Sequence, residues 1–257
     1  MIVISNLKYR IYQKSEKMEK LVNNYMHTFS SYNLETGEFP GPVVTISRQA
    51  GCSAQRLAIK LSKILTGYSY MSETKTDAEW QWVDKKVFSK VVKEMISEIE
   101  AGDYNDKTEA VMMLNVVSKA FSEEKVYDIL DEKLIQILKG IICRLAYEGR
   151  KIIVGRSAGV ILKNVPNKLN IRLEAPTEWR INRIMQINDF SQAEASDYIT
   201  EMDTKRDSFI EKIIGRKAEN NDFDVIFNYA SLEDDEIVDA VVNILRNKNI
   251  ISQHMGY

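Results

Sequence analysis

From residue 43 onward, short apolar runs alternate with longer stretches whose apolar positions recur at helical spacing. Val43–Ser47, Lys151–Val154, Leu169–Glu174 and Asp224–Phe227 read as buried strands, with a shorter candidate at Gln81–Val83. Between them, Val87, Phe88, Val91, Val92, Met95, Ile96 and Ile99 fall on one face of a helix. A longer amphipathic stripe follows at Val126, Ile129, Leu130, Leu134, Ile137, Leu138, Ile141, Ile142 and Leu145. Strands separated by helices predict βαβ units and a mainly parallel sheet. Ser191 with Glu194 reads as a capping box opening a helix, and Ser231 with Asp234 as the start of the last one. Thr66–Trp80, rich in Ser, Thr, Glu and Lys, predicts a loop.

Residues 1–40 stand apart: a helix over Glu16–Phe29 leads into the breaker cluster Thr36–Pro42. The expected organisation is an N-terminal helical extension and linker over 1–40, followed by one α/β domain over 41–250.

Composition narrows the function classes. The chain has 257 residues, enough for a core that needs no staples, and its 35 Lys+Arg against 37 Asp+Glu leave a formal charge of −2. That balance argues against a general nucleic-acid binder. Cys52 and Cys143 are far apart, and His27 and His254 lie at opposite ends, so no disulfide framework, zinc site or Ser-His-Asp hydrolase is indicated. No long apolar run suggests a signal peptide or membrane span, and the expected location is cytoplasmic.

The most informative segment is Val43–Ala58, a buried strand, a loop of small and polar residues, then an apolar-periodic helix. Unpaired N–H groups at a helix N-terminus and the helix dipole favour anions, and small loop residues let a phosphate approach. The segment lacks the second glycine, the lysine and the hydroxyl of the GxxxxGK[ST] pattern. On these residues alone, a phosphate cradle and an ordinary strand-to-helix turn both remain open.

Several segments in order resemble the cytidylate kinase-like family. Ile46-Ser47-Arg48-Gln49 followed by Gly51, with the helix Leu57–Leu61, is similar to that family's opening and phosphate loop. Val83-Asp84-Lys85-Lys86 is similar to the end of its second strand, and Ile152–Gly159 to its Val-Gly-Arg motif. Arg180 and Arg183 after Ala175-Pro176, Asp203-Thr204-Lys205-Arg206, and Asp222–Asn228 resemble its lid arginines, its Asp-x-x-Arg motif and its last strand. The resemblance implies an α/β P-loop NTPase fold: a five-stranded parallel sheet flanked by helices, a helical acceptor-binding insertion at about 85–148 and a short lid at about 186–222.

It also implies roles. Ser47, Arg48, Gln49, Gly51, Cys52, Ser53, Ala54, Gln55, Arg56 and Arg180 would hold the nucleotide's phosphates. Arg156, Arg183 and Arg206 would serve the transferring group, Asp84, Gly155, Arg156 and Asp203 the acceptor, and Ser53 a metal. ATP and Mg2+ are the implied cofactors, and a nucleotide or other phosphorylated small molecule the implied partner. Phosphoryl transfer needs positioning and cations more than covalent chemistry, which suits a set of arginines.

The family's loop usually reads Gly-Ser-Gly-Gly, whereas this chain has Gly51-Cys52-Ser53-Ala54. Ala54 stands where true cytidylate kinases carry a lysine, so Arg56 or Arg48 would have to supply that charge. Ser157 replaces their aspartate. Two functions follow: an ATP-dependent kinase of a nucleoside monophosphate or other small acceptor, or a catalytically silent nucleotide sensor or interaction protein.

Structural roles compete for several of these residues. Arg180 and Arg183 have Glu178 and Asp189 available as helix-surface partners, Cys52 is small enough to be a filler, and Trp80 and Trp82 suit packing. Met112, Met113 and the stripe of 126–145 suit a core or an oligomer face, and with the helix of 16–29 they suggest a homodimer.

Overall fold

A computed structural model describes residues 41–71, 79–102, 107–129 and 131–251. The segment predicted as the N-terminal helix, and both histidines, lie outside the described residues. The described residues fall into two compact units, one within Asp84–Tyr147 and one within Pro40–Val83 and Glu148–Tyr257.

The second unit is built on five parallel strands: β1 (Val43–Arg48), β2 (Gln81–Trp82), β3 (Lys151–Val154), β4 (Lys168–Glu174) and β5 (Val225–Asn228). They lie in the order β2-β3-β1-β4-β5. With β1 at the centre, the chain leaves the sheet toward opposite edges from its carboxyl end, where open α/β sheets bind ligands. The three central strands β3, β1 and β4 carry the buried aliphatic side chains of the sheet, whereas the edge strands β2 and β5 are only partly buried.

The two faces of the central strands differ. Val44, Ile46, Leu169, Ile171 and Leu173 join one apolar core with α1 (Ala54–Met71) and the last helix. On the other face the Thr45 hydroxyl donates to Asn170 Oδ1 at 2.8 Å, and Asn170 Nδ2 donates to the Gly159 carbonyl at 2.8 Å. A Cβ on Gly159 would meet Thr45 Oγ1 at 3.2 Å, so this closed polar network lets the helix come down on the sheet.

The unit within Asp84–Tyr147 is helical. It comprises α2 (Lys85–Ala101), α3 (Lys107–Ser122) and most of α4 (Glu132–Glu148). Phe88 of α2 and Phe121 of α3 stack with ring centroids 3.7 Å apart. Met113 is buried in α3 and Met112 exposed.

The rest of the sheet unit follows in chain order: α5 (Ala158–Ile161), α6 (Thr177–Asn188), α7 (Gln192–Ile214) and α8 (Asp234–Asn247). Among the described residues no helix is long and apolar enough to cross a membrane.

Three elements differ from expectation. The loop expected over 66–80 is helical through Met71, because Thr66 bonds back to the Ser62 carbonyl at 2.8 Å while accepting from Trp80 N–H at 3.0 Å. The stripe of 126–145 is divided: a 3-10 turn at Val126–Asp128 precedes α4, and Asp131 caps α4 by accepting from Lys133 N–H at 2.8 Å. Apolar spacing continues across the break, so periodicity alone misses it. The last helix opens on a Glu233–Glu236 capping box, and Asp234, expected to pair with Ser231, turns inward. The Ser191–Glu194 box is present as read.

Candidate functional site

The chain leaves β1 through Gln49 and enters α1 at Ala54. Gln49 N–H donates to the Leu173 carbonyl at 3.0 Å, and its side-chain oxygen accepts from Ala175 N–H at 3.0 Å, so the loop is pinned to the end of β4. Gly51 has φ +90°, a conformation that an L side chain adopts only with strain, and a Cβ there would lie 3.1 Å from Arg180 Cβ. The first turn of α1 carries no acidic residue. Ala54 N–H donates to Cys52 O at 2.9 Å and Leu57 N–H to Ser53 O at 3.2 Å. The N–H groups of Gln55 and Arg56 lie in that same first turn and have no intrahelical acceptor.

Helix α6 brings two arginines to this loop in different ways. Arg180 is 7% exposed; it donates to Asp203 Oδ2 at 2.6 Å, to the Ala50 carbonyl at 3.3 Å and to the Ala175 carbonyl at 3.1 Å. It is a strut, with its charge met by a carboxylate. Arg183 donates from Nη2 to Ser53 Oγ at 2.9 Å, and its guanidinium lies over the rings of Trp179 and Tyr229.

From α7, Asp203 reaches the same loop. Its Oδ1 accepts from Ala50 N–H at 2.7 Å and lies 3.6 Å from Arg206 Nη1, which also donates to the Arg48 carbonyl at 3.4 Å. The Asp203 carboxylate therefore ties α7 to both the loop and α6.

Burial pushes the Cys52 thiol up to about 11 against the pull of the neighbouring Arg180, so it is protonated and unreactive at neutral pH. Arg56 is turned to Asp234, with Nε 2.6 Å from Oδ2, and to the Tyr229 hydroxyl at 3.2 Å.

At the end of β3, Gly155, Arg156 and Ser157 have φ of +70°, +54° and +56° in succession. Gly155 N–H donates to the Ile46 carbonyl at 3.0 Å, which sets this turn beside β1. Arg156 Nη1 donates to the Val154 carbonyl at 2.6 Å. Ser157 is 5% exposed, and its hydroxyl has no hydrogen-bond partner among the described residues. Two successive non-glycine residues in the left-handed region mark a strained turn of the kind found at ligand sites.

The structure thus gathers Gln49, Gly51, Cys52, Ser53, Arg180, Arg183, Asp203 and Arg206 around one loop. Asp84 belongs to the helical unit, where its carboxylate accepts from Val87 N–H at 2.8 Å and caps α2. Trp80 is buried in the core and Trp82 packs against it. Trp179 and Tyr229 did not stand out in the sequence, and Asp234 did so only as part of the start of the last helix. Trp179 was readable as the residue one turn before Arg183, whereas Tyr229 and Asp234 reach the loop only through the tertiary fold.

The model of the cytidylate kinase-like family matches residues 43–231, well over half of the chain. Curated proteins yield no match. Among solved structures, an uncharacterized protein from Eubacterium ventriosum is 14% identical, with a TM-score of 0.51 over 80% of this chain and 98% of that one. A shikimate kinase from Bacteroides thetaiotaomicron is 12% identical, with a TM-score of 0.40 over 80% of this chain and 96% of its own. At 14% identity the first likeness bears on the fold alone.

Proposed function

The chain belongs to the cytidylate kinase-like family, and from that premise we propose that it moves a phosphoryl group from ATP to a nucleoside monophosphate or another small acceptor. The observation that supports this most is the convergence on one loop of α1 amides without intrahelical acceptors and of Arg183, whose Nε is buried with no hydrogen-bond partner among the described residues. An orphaned, buried guanidinium donor fits an anionic ligand.

In this reading the Gln55 and Arg56 amides and Arg183 grip the phosphates. Arg206 flanks the loop's entry, where its guanidinium meets the Arg48 carbonyl. Arg180 and Asp203 brace the loop and do not touch ligand. Gly155 and Arg156 serve the acceptor from the end of β3. Among the described residues no cluster of three or more His, Cys, Asp or Glu side chains is placed to hold a metal. Ser53 Oγ, a hydroxyl on the loop, would hold a magnesium ion that arrives on the nucleotide, in place of its contact with Arg183. When bound, that ion supplies positive charge to the phosphate oxygens.

A second reading, a nucleotide sensor without turnover, is favoured by one feature: Ala54 offers no charge and Arg56 is held by Asp234, leaving no lysine equivalent in the first turn of α1. Calorimetry with ATP and Mg2+, followed by a screen of CMP and other monophosphates for ADP release, separates the two. Binding with turnover is the expected result; binding without turnover across the screen selects the sensor, and no binding defeats both.

A further inference from the structure

Arg183 is held by different chemistry from the other arginines at the loop. Arg56 is paired with Asp234, and Arg180 and Arg206 with Asp203. Among the described residues Arg183 has no carboxylate partner. Its guanidinium carbon instead lies 5.1 Å from the centre of the Trp179 ring and 5.7 Å from that of Tyr229.

Those rings are themselves fixed. They meet edge to face, with centroids 6.0 Å apart and planes at 89°. Tyr229 is 4% exposed, and its hydroxyl donates to Asp234 Oδ1 at 2.8 Å while accepting from Arg56 Nη2 at 3.2 Å. Contacts therefore run from Arg56 through Asp234, Tyr229 and Arg183 to Ser53, beginning and ending at the N-terminal turn of α1.

A ring face attracts a guanidinium through its quadrupole and so restrains where it lies. A ring carries no net charge, so it does not neutralise the guanidinium. A carboxylate in the same place would take two donors and cancel most of the field.

Building on the phosphate-binding reading above, we infer that Trp179 and Tyr229 are positioning residues. They hold Arg183 without a counter-charge, so that its charge and the Nη donors not taken by Ser53 remain for the phosphate chain of the ligand. Neither ring touches the phosphates.

The test is a mutant cycle read by calorimetry, with ATP·Mg2+ and inorganic tripolyphosphate as ligands. Trp179→Leu weakens both ligands by about tenfold, while Trp179→Phe, which keeps a ring face, stays within about threefold of wild type. In an Arg183→Gln background Trp179→Leu adds no further loss, because the effect runs through Arg183. Tyr229→Leu behaves like Trp179→Leu in the same cycle. Trp179→Met, close in volume but without a ring, replaces the leucine variant if that fails to fold.

Three results overturn the inference: wild-type affinity in Trp179→Leu, an equal loss in the Arg183→Gln background, or weakened ATP with unchanged tripolyphosphate, which would put the indole against the base. In each of these the wild type binds both ligands and the phosphate-binding reading stands. A wild type that binds neither ligand removes that reading, and this inference with it.

Discussion

Two sides of one loop hold their arginines by opposite means. On the α7 side, Arg180 and Asp203 form a partly buried ion pair that also takes up the Ala50 amide and carbonyl. On the β5 side, Arg183 rests on two aromatic faces and a serine hydroxyl. The arginines are three residues apart on one helix, yet the first has its charge answered by a carboxylate and the second lies over two uncharged rings. Residue type and helical spacing do not separate a brace from a binding group; the partner does.

The largest expected effect comes from breaking the braced side. Asp203→Ala leaves Arg180 buried without a counter-charge and Ala50 N–H without an acceptor, which should lower stability by about 3–5 kcal/mol. Urea denaturation measures it as a fall in midpoint at unchanged slope. An Asp203→Ala midpoint within error of wild type would show that the pair does not hold the loop.

Arg183→Gln should do the reverse. With no ion pair to lose, the unfolding midpoint moves little, whereas ATP affinity falls about 10- to 100-fold for the lost charge-assisted bonds. If the variant instead unfolds as readily as Asp203→Ala and binds ATP normally, the two arginines have exchanged roles.

Cys52 sharpens the comparison at its centre, since Arg180, Asp203, Arg183 and Arg206 all act on its thiol. Burial raises the thiol's pKa from 9.0 to about 11, so the folded state holds its proton more tightly than the unfolded chain does. The stability this contributes is complete below pH about 9 and is lost as pH rises through about 11, roughly 2–3 kcal/mol in all. Cys143 is raised similarly and remains in both proteins, so urea midpoints of wild type and Cys52→Ala from pH 8 to 11 isolate the Cys52 share. Parallel profiles would mean that water reaches the loop.

Much of the architecture was legible. The runs at 43, 151, 169 and 224 became β1, β3, β4 and β5 with shifts of at most a residue or so at their ends, because β1, β3 and β5 carry consecutive apolar residues and β4 alternates apolar with polar positions. The break in the stripe of 126–145 was not legible: a hydrophobic period survives a change from 3-10 turn to α-helix, and only Asp131 marks the new start. At the site, the small-residue loop and the order of the arginines were visible, but not that Arg56 faces Asp234 or that Arg183 faces two rings.

By itself, then, the sequence determined the order of strand, loop and helix, the family and the set of charged groups available, since these follow from local composition and spacing. The tertiary structure alone decided which charges cancel. Asp203, Tyr229 and Asp234 are brought to the loop from distant elements, and the field of an arginine depends on what stands within a few ångströms of it in space.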